Sequence, residues 1–126
     1  MAKITSPIRA EGKEYVIVAG SFAPNGSGAV SAASNEGAGW SVARTSAGLF
    51  TITFHEAYPD MISGVACLQL ASADDKYCQV GVYTQASKTL TIRVFDASGG
   101  AVDDVSANAN NRINFICIFR RTGLTA

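Results

Sequence analysis

Apolar residues recur at every second position in short runs along this chain, and clusters of Gly, Asn, Asp and Ser separate the runs. That is the pattern of half-buried β-strands. It is clearest where Phe50, Ile52 and Phe54 share one face and Thr51, Thr53 and His55 the other. Residues 88–95 repeat it, with Leu90, Ile92 and Val94 inward and Thr89, Thr91 and Arg93 outward. Further strands are predicted at 13–22, 40–45, 49–55, 62–71 and 77–84. Ser46-Ala47-Gly48 suits a hairpin between the second and third, because Gly accepts a positive φ. The last run, 113–121, breaks the alternation. Phe115, Cys117 and Phe119 line one face while Ile116 and Ile118 line the other, so both faces need cover. Ala is frequent but scattered among Ser, Gly and Asn, without helical spacing.

Strands at this spacing predict an all-β fold, a β-sandwich or jelly-roll-like single domain of about seven to eight strands. Residues 1–12 are expected to be an extended N-terminal arm and 13–126 the sandwich domain. Within it, 24–39 is a Gly/Ala/Ser-rich loop long enough to suggest a function of its own or disorder. A chain of 126 residues suits one domain.

Charge narrows the choice of partner. Ten Lys and Arg balance ten Asp and Glu, and charged residues are only 16% of the chain. No basic excess exists for neutralising phosphates, so a nucleic-acid partner is not expected. A weakly charged surface favours packing against neighbours. No run of about 18 apolar residues occurs, so no membrane partner is expected. The first seven residues lack the apolar core of a signal peptide, which suggests synthesis in a cytoplasm.

Candidate chemistry is sparse. His55 is the only histidine, and no serine stands in a G-x-S-x-G elbow. Cys67, Cys78 and Cys117 are odd in number and lack C-x-x-C spacing, so they read as buried free thiols. Asp74-Asp75 and Asp103-Asp104 read as turn formers and solvated loop charge, with a calcium site as the competing view. The Gly-rich pieces Gly26-Ser27-Gly28 and Gly37-Ala38-Gly39 precede a strand and no Lys follows, unlike a phosphate loop. No catalytic, cofactor-binding or metal-binding residue is therefore assigned. Nor is a small-molecule substrate or cofactor expected. Among the aromatics, Tyr77 and Tyr83 share a predicted strand face with Gln79 and Gly81 and could meet a glycan.

Three segments carry a resemblance. The runs Gly37-Ala38-Gly39-Trp40-Ser41-Val42-Ala43-Arg44, Gly48-Leu49-Phe50-Thr51-Ile52-Thr53-Phe54 and Asn114-Phe115-Ile116-Cys117-Ile118-Phe119-Arg120 resemble small virion proteins of tailed bacteriophages and prophages. The resemblance covers 37–121. It implies a non-enzymatic capsid decoration, or cement, protein located in the virion. The partners it implies are copies of the chain itself, as a homotrimer, and the major capsid protein. Phe115, Ile116, Ile118 and Phe119 are then expected at the oligomer interface. Ile4, Pro7, Ile8, Phe22, Pro24 and Asn25 are expected to contact the capsid. The alternative is a receptor- or glycan-binding module of a tail fibre or spike.

Overall fold

The computed structural model describes residues 15–97 and 103–121. Among these residues are seven strands: β1 (Tyr15–Phe22), β2 (Trp40–Ser46), β3 (Leu49–Phe54), β4 (Met61–Gln69), β5 (Lys76–Thr84), β6 (Thr89–Asp96) and β7 (Arg112–Arg120). They form two antiparallel sheets, ordered β1-β7-β4 and β2-β3-β6-β5. The fold is a single β-sandwich domain, as the alternation predicts. The predicted arm, 1–12, and the start of the first predicted strand lie outside the described residues.

The core lies between the sheets. Phe50, Ile52, Leu90, Ile92, Val94, Ile113 and Phe119 are fully buried there. Phe119 anchors one end, stacked on Tyr58 at 4.7 Å and edge-on to Phe54 at 4.8 Å. At the other end Trp40 meets Phe115 edge-on at 4.9 Å, and Phe22 packs on Phe50 at 5.3 Å. Gly20 makes room for the indole. A Cβ there would lie 2.3 Å from the Trp40 ring.

The run 24–39 is built rather than loose. The backbone of Ser21 pairs with that of Glu36, and a 3-10 turn spans Ala32–Ser34. Arg112 pins the segment from β7. Its Nε donates to Ser21 Oγ at 2.6 Å and its Nη2 to the Ser34 carbonyl at 2.7 Å, with Glu36 3.4 Å away. Gly26 N–H donates to the Val105 carbonyl, and Pro24 is buried. Few large side chains are present, but backbone pairing and one arginine supply the order that they do not.

The acidic pairs also differ from expectation. Asp104 accepts a two-pronged bond from Arg44, at 3.0 and 2.9 Å, and a third from the Gly48 N–H. This ties the approach to β7 onto the β2–β3 hairpin and lets Val105 plug the core at 1% exposure. Asp103 pairs with Lys76. The predicted solvated turn charges at 103–104 are thus held in ion pairs, and the exposed Asp74, beside Asp75, lies 3.9 Å from the same Lys76 nitrogen.

Candidate functional site

Pairing in the three-stranded sheet decides which side chains face outward together. Ile17 lies opposite Ile118, which lies opposite Ser63. Ala19 lies opposite Ile116, which lies opposite Val65. These two rows cross the sheet on the side away from the core, because their neighbours Val18, Phe115, Cys117 and Ala66 are buried. Ile17 is 64% exposed, Val65 57% and Ile116 43%. Polar residues border most of the band. Ser21 and Asn114, continued by the thiol of Cys67, form the next row at one end, and Tyr15 pairs with Arg120 at the other. An apolar centre with a polar rim is the anatomy of a protein interface.

Alternation makes this face readable in the sequence only in part. β7 is central in its sheet, so its inward residues Phe115 and Phe119 are consumed by the core, at 4% and 0% exposure. They cannot serve the oligomer interface expected of them. Ile118 is half-buried and Ile116 exposed, and both lie on the outer band. Ile17, Ala19 and Val65 join them only through strand pairing, which no single run reveals.

The residues expected to contact a capsid separate similarly. Phe22 is fully buried and Pro24 buried, so their side chains are not available to a partner. Asn25 is exposed, although its amide donates to the Ala29 carbonyl at 3.3 Å. Ile4, Pro7 and Ile8 lie outside the described residues.

The outer face of the four-stranded sheet differs. Thr51 pairs with Thr91 and Thr53 with Thr89 across β3 and β6, and Thr89 pairs with Thr84 of β5. The register of β5 slips between Val80 and Tyr83, a β-bulge. The extra residue returns Tyr83 to the core side. There its hydroxyl donates to the Tyr58 carbonyl at 2.7 Å and its ring packs on Phe119 at 5.0 Å. Burial pushes the Tyr83 phenol pKa up. Tyr83 therefore shares no face with Tyr77, contrary to strict alternation. Tyr77 stays outside at 42% exposure, with its ring stacked on Phe95 at 5.3 Å.

His55 is exposed just past β3, and among the described residues no hydroxyl or carboxylate hydrogen-bonds its ring. No group of three or more His, Cys, Asp or Glu among the described residues is placed to hold a metal. The thiols divide. Cys117 is buried, Cys78 half-buried and Cys67 exposed on the apolar face, where a buried residue was expected. Burial pushes Cys78 up to about 12 and Cys117 up to about 11.

Comparison with family models, with curated proteins and with solved structures finds no match to this chain.

Proposed function

We propose that this chain is a non-enzymatic structural protein that assembles with copies of itself through the outer face of the β1-β7-β4 sheet. Following its resemblance to phage virion proteins, the assembly is a trimer that decorates a shell by binding the major capsid protein. One observation carries the first part: Ile17, Ala19, Val65, Ile116 and Ile118 form one outward band with a polar border.

Size favours a decorating role over a free-standing dimer. Three strands of this length cover roughly 400 Å² in projection, from strand spacing and rise. A standard interface uses about 800 Å² per partner. The band alone therefore supports modest affinity, and a lattice of neighbouring sites would multiply it through effective concentration.

Cys67 offers an internal reporter, because it borders the band and the other two thiols are sheltered. On raising concentration, sedimentation should show oligomers and maleimide labelling of Cys67 should slow. The double change Ile17→Lys, Ile116→Lys should restore a monomer with fast labelling and an unaltered fold. Wild-type protein should co-sediment with undecorated phage shells. A chain that stays monomeric at high concentration, labels at one rate throughout and ignores shells would overturn the proposal.

A further inference from the structure

The four-stranded sheet carries chemistry that self-assembly does not use. At the β5 bulge, Gly81 and Val82 together face Thr91 of β6. A Cβ on Gly81 would lie 2.1 Å from Thr91 Oγ1, so only glycine lets that hydroxyl lean across the strand. Val82 is pushed outward to 77% exposure. The result is an open hollow of about 470 Å³, lined among others by Gln79, Gly81, Val82, Thr84, Thr91 and Arg93. That lies within the usual size of small-ligand sites.

Arg93 gives the hollow its sign. Arg44, Lys76, Arg112 and Arg120 each have a carboxylate partner. Arg93 has no ion pair among the described residues and is exposed. Across β2, β3, β5 and β6 the sole acidic residue is Asp96, and alternation places it on the side opposite Phe95 and Arg93. The outer face thus combines one arginine without a counter-ion, an amide, threonine hydroxyls and an apolar ridge.

We infer that this hollow binds an acidic saccharide, a sugar unit bearing a carboxylate. The guanidinium takes the carboxylate through two parallel N–H donors. Gln79, Thr84 and Thr91 exchange hydrogen bonds with ring hydroxyls, since each both donates and accepts. Val82 covers an apolar C–H face of the ring. The site stands on the sheet opposite the apolar band, so it does not depend on how copies assemble. It differs from the glycan surface expected at Tyr77 and Tyr83, because the bulge turns Tyr83 away.

The test uses the full chain in affinity electrophoresis through polygalacturonate, neutral dextran or dextran sulfate. Polygalacturonate should retard the protein and dextran should not. Arg93→Gln should weaken retardation at least tenfold and Thr91→Val several-fold. Lys88→Gln, a charge change in the neighbouring turn, should leave it unchanged. No retardation in polygalacturonate would overturn the inference. So would equal loss in Lys88→Gln, or binding to dextran sulfate alone, which indicate general anion attraction. Equal retardation by dextran would also overturn it, as a neutral-sugar site.

Discussion

Asp104 shows how one side chain organises two distant segments. Its carboxyl is held below the usual aspartate range, first by the Arg44 hydrogen bond and also by the Gly48 N–H. A carboxylate lowered in this way adds stability that is complete above its unfolded pKa. The contribution is lost as pH falls through the lower folded value. Asp104→Asn should therefore cost roughly 1–2 kcal/mol at pH 7, as expected for a two-pronged, partly exposed pair. The gap from wild type should narrow as pH falls below the ordinary aspartate range and close once the Asp104 carboxyl is neutral in the folded chain as well as the unfolded one. Urea unfolding across this range measures it, and a constant gap would contradict the assignment. The sequence showed the acidic pair but not its purpose, since Arg44 lies 60 residues away. Local pattern carries no information about a bond of that span.

Strands were legible because each encodes its own alternation. Phe50, Ile52 and Phe54 read as inward from the sequence, and all three are buried. Three features escaped. The β5 bulge reverses the side of Tyr83, and no residue type nearby marks an inserted position unambiguously. The ordered 24–39 segment derives its stability from Arg112 of β7 and from backbone pairing with β1, which composition cannot disclose. The contact between Gly20 and Trp40 is likewise invisible until β1 and β2 are brought together. Gly20→Ala should destabilise the domain by about 1–3 kcal/mol, the usual cost of overpacking. Trp40 fluorescence should report it as a lower unfolding midpoint with an altered native spectrum. An unchanged midpoint would mean that the indole relaxes freely.

At the scale of the molecule, the two sheets present unlike faces. One is apolar at its centre and the other is hydroxylated with a single arginine. The apolar one was half visible in the sequence, through Ile116 and Ile118 on a run with no polar side. Its other half comes from β1 and β4, and their adjacency is a property of topology. Most contacts that close the sandwich join residues far apart in sequence, as with Ser21 and Asn114, separated by 93 positions. Such pairings are slow to find. Refolding followed by Trp40 fluorescence should occupy the millisecond-to-second range of sandwiches, and a microsecond phase accounting for the full amplitude would contradict this.

The central place of β7 has a consequence for biosynthesis. β1 and β4 never pair with each other; both pair with β7, which follows every other described strand in the chain. While a ribosome is still short of residue 120, the first sheet has no middle. The nascent chain then holds two strands with open edges and exposes Ile17 and Val65 beside them, the kind of surface that invites misassociation. Release of β7 covers the inner edge of each in one step. A translation pause or truncation before Arg112 would therefore leave the chain without its first sheet, rather than with a slightly smaller one.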